Sequence, residues 1–166
     1  AQLQLGGALL AATPVDGDSS AFLPALESFS RAAELEPGLA AAHGGRGAAL
    51  LAMDRAGEAV EAYEHALSID PTVPEWLHSL GKALRLAGQP EESLAVLDQA
   101  LALGDDGEVL ATKGEVLAEL ASPDALSILE EVVKHPVVAI SVRDMDALLV
   151  TDRAVALAPE GEEAAL

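Results

Sequence analysis

Three side chains that can donate hydrogen bonds to an anion recur at helical spacing near the middle of the chain. His78, Lys82 and Arg85 are four and three residues apart, which places them on one face of an α-helix. Ammonium and guanidinium groups bind carboxylates through charge-assisted hydrogen bonds. The spacing therefore predicts either a site for a carboxylate or an acidic peptide, or an ordinary solvated helix face that balances nearby glutamates.

The residue patterns that common catalytic, nucleotide and metal sites require are missing from the sequence. It has no Cys nucleophile and no Gly-x-Ser-x-Gly elbow. The glycine-rich run 44–47 is not followed by the Lys-Ser/Thr pair of a phosphate loop. The four histidines form no His-Glu-x-x-His motif. We therefore expect a chain that is not an enzyme and that needs no cofactor and no metal.

Charge and cysteine content predict the kind of partner and the compartment. The sequence has 28 acidic and 9 basic residues and a formal net charge of −19. A surface this negative repels phosphate backbones and anionic headgroups, so we expect neither nucleic acid nor a membrane as partner. The lack of Cys fits a reducing compartment, and we expect a cytoplasmic protein.

The composition is that of a helical protein. Half of the residues are apolar (51%) but only 2% are aromatic, and Ala and Leu make up most of the apolar fraction. Both are strong helix formers, whereas the β-branched residues typical of sheets are scarce. An all-α fold is predicted, and the 166 residues suit one domain.

An internal repeat runs through most of the chain. A small residue, a bulky residue four positions later and a further Ala recur 34 residues apart, at Ala59, Tyr63 and Ala66 and again at Ser93, Leu97 and Ala100. An earlier copy contains Ala25, Phe29 and Ala32, and a weaker later copy contains Ala125, Leu129 and Val132. The 34-residue period indicates stacked units, none of which can bury its apolar face alone.

Each copy is preceded by a helical segment with a glycine three residues before a leucine. These glycines are Gly6, Gly47, Gly81 and Gly114. A glycine inside a helix costs about 0.5–1 kcal/mol relative to Ala, so a matched series needs a structural reason. We expect the glycines to mark places where two helices approach closely.

The Gly–Leu pairs, the small–bulky–Ala spacing and the prolines Pro37 and Pro71 that close two copies resemble the tetratricopeptide repeat. The resemblance implies an all-α, right-handed α-solenoid of helix–turn–helix repeats in a single domain, residues 1–166. The copies span about 2–36, 37–70, 71–105 and 106–136. A C-terminal degenerate repeat or capping helix is predicted at 139–158.

The resemblance also implies that the first helix of each repeat lines a concave groove. The candidate groove residues are His78, Lys82, Arg85, Glu75, Ser79, Ala41, Gly45, Ala48, Thr112 and Glu115. The small side chains of the second copy, Gly44 included, are expected to leave a depression for a bulky partner side chain. Trp76 is expected to pack on the preceding repeat rather than to contact a ligand.

The leading hypothesis for function is a protein–protein interaction module or scaffold that binds a peptide or helix of a partner in this groove. The alternative is a structural, regulatory or self-association domain of a larger multidomain enzyme. Homo-oligomerisation and packing on another domain of the same protein both stay open, because a fold does not choose among these roles.

Overall fold

The structure is a computed structural model that describes residues 1–11, 19–104 and 107–134, and within these ranges it contains helices and no strand. The predicted all-α class is therefore confirmed for this part of the chain. The predicted C-terminal helix at 139–158 lies outside the described residues. The α-helices are α1 (Gln2–Ala11), α2 (Leu23–Leu35), α3 (Ala40–Ala52), α4 (Ala56–Ile69), α5 (Pro74–Leu86), α6 (Pro90–Leu103), α7 (Gly107–Glu119) and α8 (Asp124–Lys134), with a 3-10 turn at Ser19–Phe22 before α2.

The chain divides into two compact units, Ala1–Leu103 and Gly104–Leu166. In the first unit, α1 packs on α2, α3 on α4 and α5 on α6. Successive pairs join through α2 on α3 and α4 on α5, while α3 also contacts α1 and α5. We call the surface formed by α1, α3 and α5 the first-helix layer. The described part of the second unit is one further pair, α7 on α8.

The turns after α3, α5 and α7 use the same backbone geometry. After α5, Gly88 has φ +79°, its amide donates to the Arg85 carbonyl at 3.0 Å, and the Gln89 amide donates to the Leu84 carbonyl at 2.9 Å. This is the left-handed cap that ends many helices and satisfies their last carbonyls. Asp54 after α3 and Ala121 after α7 adopt the same positive φ, at 59° and 51°.

Gly6, Gly47 and Gly81 are contact points between paired helices, as the sequence predicted. A Cβ at Gly81 of α5 would lie 2.6 Å from Leu97 of α6, and a Cβ at Gly47 of α3 would lie 3.0 Å from Tyr63 of α4. A methyl group at Gly81 would require Leu97 to move, and one at Gly47 would press tightly on the Tyr63 ring, so glycine suits this close approach. The Ser93 hydroxyl, buried beside the same contact, donates to the Gly81 carbonyl at 2.7 Å.

The bulky residues of α2 and α4 also fit against the next repeat. The Phe29 ring of α2 contacts Gly6 of its own repeat and Gly45 of α3 in the following one. Tyr63 of α4 contacts Gly47 of its own repeat and hydrogen-bonds with a side chain of α5. One bulky side chain thus packs among three helices at once. The positions that face it on the neighbouring helices carry glycine because a larger side chain would occupy the same space.

Candidate functional site

The α5 helix separates an apolar side from a polar side. Leu77, Leu80 and Leu84 are at most 6% exposed, whereas Lys82 and Arg85 are half-buried. The separation follows from the 3.6-residue period, because the leucines are three and four residues apart and the two basic residues fall between them. The polar side of α5 belongs to the first-helix layer of the first unit.

Lys82 on α5, like Arg46 on α3, forms no ion pair with a described residue. Among the residues that the structure describes, no carboxylate lies within ion-pair distance of its ammonium group. Two arginines of second-helix segments behave differently: Arg31 is 2.8 Å from Glu34, and Arg55 is 2.6 Å from Glu58. The Lys82 ammonium is therefore able to accept an anion supplied from outside.

The three members of the predicted basic set differ in accessibility. His78 is buried, with 9% of its surface exposed, while Lys82 and Arg85 keep more of theirs. All three lie on α5, as the spacing predicted. In the described conformation, however, Lys82 and Arg85 are the members that a partner can reach most easily.

Two further α5 candidates have separate environments. Glu75 is exposed in the first turn of the helix. The Ser79 hydroxyl forms a hydrogen bond with the phenol of Tyr63 on α4, and burial raises the pKa of that phenol against the opposing effect of this bond. Ser79 thus links α4 to α5, while Glu75 is a solvent-facing carboxylate beside the basic residues.

The depression that the sequence predicted on α3 is absent at Gly44 and Gly45. A Cβ at Gly44 would lie 2.6 Å from the Trp76 indole, and the Phe29 ring occupies the place where a Cβ of Gly45 would stand. The glycines are small because neighbouring helices of the same chain fill the space, which sequence spacing alone cannot distinguish from an open cavity. Ala41 and Ala48 remain half-buried on the same helix.

The contact between Gly44 and Trp76 confirms one of the sequence predictions. The only Trp of the chain packs against the preceding repeat, and it also lies against the buried cluster that includes Leu50 and Leu84. Its indole joins α3 to α5 within the first-helix layer. A single tryptophan at this junction is a natural fluorescent reporter for the layer.

Two predicted groove residues belong to α7 in the second unit. Thr112 is only 4% exposed, and its hydroxyl donates to the Glu108 carbonyl one turn earlier at 3.0 Å. It therefore offers little surface to a partner in this conformation. Glu115 is half-buried on the same helix.

Sequence reasoning missed one pair of side chains that the fold brings together. The rings of His43 on α3 and His65 on α4 have centroids 4.0 Å apart, and His43 Nε2 is 3.0 Å from the Pro37 carbonyl oxygen. Burial lowers the pKa of His43, and the nearby positive groups His65 and Arg46 act in the same direction. Nothing in the spacing of the two histidines signals this contact.

Across the described ranges, no three His, Asp or Glu side chains are grouped in a way that could hold a metal ion. The helices of those ranges are also all too short or too polar to cross a bilayer.

Comparison with known proteins identifies the class of this helical stack. Residues 50–116 match the family model described as tetratricopeptide repeat, and many solved structures are similar to the chain. The predicted resemblance and the predicted α-solenoid fold class are confirmed: residues 50–116 match the tetratricopeptide-repeat model, and the chain shares its fold with solved tetratricopeptide-repeat structures. No curated protein sequence is significantly similar to it.

Three solved structures illustrate the likeness. YrrB, described as a tetratricopeptide-repeat protein with an unusual peptide-binding site, is 22% identical with a TM-score of 0.69, over 96% of this chain and 86% of that one. MamA is 15% identical with a TM-score of 0.69, over 99% and 97%. The O-GlcNAc transferase of Thermobaculum terrenum is 19% identical with a TM-score of 0.64, over 80% of this chain and 26% of that one. At these identities the likeness is one of fold.

Tetratricopeptide repeats generally mediate protein–protein interactions, and proteins built from them are typically scaffolds without catalytic activity.

Proposed function

We propose that the first-helix layer of the first unit binds an acidic peptide segment of a partner protein, with Lys82 and Arg85 as its main polar anchors. The observation that carries the proposal is the Lys82 ammonium, which has no carboxylate partner among the described residues although acidic residues outnumber basic ones 28 to 9. A cation kept away from internal acids is available for an external one. We place no catalytic activity in the chain itself.

The remaining surface of the layer complements such an anchor. Ala41 and Ala48 on α3 are half-buried and small, so they can accept apolar side chains of the bound segment without displacing a helix. His78 is buried beside Lys82 and Arg85, so it contributes only a small part of its surface to the contact with the peptide. The peptide-binding site named for YrrB supports this general mode, although that protein shares only 22% identity with the chain.

Glu75 determines where along α5 the acidic residues of the bound segment can lie. Its exposed carboxylate stands in the first turn of α5, about one turn before His78 and two before Lys82. Like charges repel, so acidic groups of the partner are expected beside Lys82 and Arg85 and not beside Glu75. The proposed ligand therefore carries its acidic residue at one end of its contact with α5.

The test uses two synthetic octapeptides that differ only in charge, one with two glutamates among alanines and leucines and one with glutamines in their place. Binding is followed through the fluorescence of Trp76, which joins α3 to α5. We expect the acidic peptide to bind more tightly and its affinity to fall as salt is added, because the exposed part of the contact is screened.

A matched pair of double variants locates the site. Lys82→Gln/Arg85→Gln and Arg31→Gln/Arg55→Gln each remove two positive charges, but only the first removes the proposed anchors. We expect the first variant to weaken the acidic peptide roughly tenfold or more, about 1.4 kcal/mol or more, and the second to leave it unchanged. Equal weakening by both variants would show a general charge effect and contradict the site.

The second candidate function is that of a domain within a larger enzyme. The observation that favours it is the likeness to the O-GlcNAc transferase, in which the matched part is only 26% of the longer chain. A catalytic segment encoded in the same gene, together with unchanged affinities in the two peptide experiments above, would favour this role over peptide binding.

A further inference from the structure

Leu86 is a large apolar side chain on the polar side of α5. It is the last residue of that helix and is 53% exposed. The helical period places it four residues after Lys82, on the same face and opposite the stripe of three buried leucines. A cation and an apolar side chain therefore lie on one face of α5, about 6 Å apart along the helix axis.

The neighbouring repeats show that packing of the stack does not require a leucine at this place. The turns that follow α3, α5 and α7 each contain one residue with positive φ, which gives a common reference point. The residue two positions before that point is Ala52 in α3, Leu86 in α5 and Glu119 in α7. All three are exposed. Alanine and glutamate thus occupy the same place, and α5 alone of these three helices has a large apolar side chain there.

Other exposed apolar residues follow the repeat. Three of them recur 34 residues apart at the ends of second helices, as Leu35, Ile69 and Leu103. A residue type that is kept in three successive repeats belongs to the repeating unit itself. Leu86 does not recur in this way, so its exposure is particular to α5 and to the face that carries Lys82.

We propose that Leu86 is a specificity-determining contact of the acidic-peptide site, where it packs against a bulky apolar residue of the bound segment while Lys82 pairs with an acidic residue of that segment. The inference rests on the function proposed above for the first-helix layer, and it adds that charge alone does not define the ligand. Contact between the two apolar side chains removes both from water, and salt does not screen this gain as it screens the ion pair.

The spacing on α5 determines the spacing in the ligand. In an extended segment, residues i and i+2 point to the same side and are about 6.6 Å apart, which matches the rise between Lys82 and Leu86. The acidic and the apolar residue of the ligand are therefore separated by one residue. Because Glu75 lies in the first turn of α5, the apolar residue lies on the far side of the acidic residue from Glu75.

The test uses fluorescein-labelled octapeptides of serine and glycine that contain two adjacent glutamates. In the first peptide one serine separates the glutamates from a leucine, and in the second peptide alanine replaces that leucine. A third peptide keeps the leucine but has glutamine in place of both glutamates. Each is made in both sequence orders, because an extended segment can run in either direction along α5.

Fluorescence anisotropy measures the binding of each peptide to the full chain. In one of the two sequence orders, we expect the first peptide to bind roughly three- to tenfold more tightly than the second. The third peptide should bind most weakly of all, because it lacks the charge that pairs with Lys82.

Two matched variants of the full chain locate the leucine contact. Leu86→Ala shortens the proposed contact, whereas Leu35→Ala shortens a leucine that is 63% exposed at the end of α2. Both positions are exposed, so urea denaturation should show little change for either variant. Leu86→Ala should weaken the leucine peptide roughly three- to tenfold and leave the alanine peptide unchanged, since only the former loses a side-chain contact. Leu35→Ala should change the affinity of neither peptide.

The outcomes separate this inference from the function on which it rests. If neither acidic peptide binds, or if both bind equally to the wild type and to Lys82→Gln/Arg85→Gln, the peptide site itself is wrong and the inference falls with it. If both acidic peptides bind in a Lys82-dependent way but with equal affinity, Leu86 does not select the ligand. Equal weakening of both acidic peptides by Leu86→Ala would indicate a general change in α5 and would also overturn the inference.

Discussion

The helices α3 and α5 occupy the same position in successive repeats, yet their faces in the first-helix layer differ. On α3 the face is made of glycine and alanine, and its glycines are filled by Phe29 and Trp76 from neighbouring helices. On α5 the corresponding face carries Lys82 and Arg85, which stay partly exposed. The difference shows that the small residues of α3 record internal packing, whereas the basic residues on the corresponding face of α5 stay partly exposed to solvent.

The largest expected effect comes from emptying the space beside the α3 glycines. Phe29 is 4% exposed and packs in a cluster with Ala25 and Ala49, so Phe29→Ala should cost about 3–5 kcal/mol of unfolding free energy. It should also create on α3 the depression that the native chain lacks. Urea denaturation measures the loss, and binding of a small aromatic probe such as indole by the variant alone detects the cavity. A variant as stable as the wild type would contradict this account.

A pair of identical substitutions tests whether the α3 glycine is required for packing. At Gly45 a methyl group would collide with the Phe29 ring, whereas at Gly7 on α1 it would meet no atom within 4 Å. Gly45→Ala should therefore destabilise the protein by about 1–3 kcal/mol through overpacking. Gly7→Ala should stabilise it by about 0.5–1 kcal/mol, because alanine favours the helix.

Thermal unfolding of the two variants and of the double variant Gly45→Ala/Phe29→Leu checks the cause. If the ring is responsible, its replacement by the smaller leucine should recover part of the loss at Gly45. A loss of the same size at Gly7 would point to a general intolerance of change in these helices.

The turns after α3 and α5 provide a smaller contrast. Gly88 has φ +79° and no atom within 4 Å of the place that a methyl group would take, and Asp54 adopts φ 59° at the corresponding position. Gly88→Ala should cost about 1 kcal/mol for purely conformational reasons, and Asp54→Gly should gain a similar or smaller amount. Chemical denaturation with unchanged m-values is the measurement. Stabilisation by Gly88→Ala would contradict the role of the left-handed cap.

The smallest expected effect is a pH dependence of stability that arises from His43 on α3. Leu77 occupies the corresponding position of α5 and does not titrate. Burial, His65 and Arg46 lower the folded-state pKa of His43 below the ordinary 6.5. The unfolded chain then binds a proton more readily, so stability is fully present above about pH 6.5 and is lost as the pH falls toward the lower folded-state value. His43→Leu should reduce this acid sensitivity, measured by urea denaturation between about pH 5 and about pH 7.5. An unchanged slope would assign the sensitivity to other groups.

Much of the fold was predictable from local and periodic features. The 34-residue spacing of Ala59 and Ser93, and the Gly–Leu pairs in the first helices, predicted the repeat because each stacked unit needs the same small contacts. The packing of Trp76 on the preceding repeat was also predicted. The four helix pairs of the described ranges lie within the predicted repeats.

The candidate site was predictable only in part. The spacing placed His78, Lys82 and Arg85 on one helix, but it contained no information on how deeply each would be buried. Thr112 and Gly45 are residue types that a groove can contain, yet Thr112 is buried and bonded to its own helix. At Gly45 the Phe29 ring takes the place of a side chain. Burial depends on side chains that are distant in sequence, and local spacing does not report them.

By itself, the sequence determined the helices, their pairing and the strongly acidic surface, because propensity, periodicity and net charge are properties of residues and of their spacing. Tertiary structure alone decided which small residues are covered and which cations lack a carboxylate partner within the described ranges. Each of these depends on what a neighbouring helix brings into contact range, and a contact between distant residues exists only once the repeats have packed.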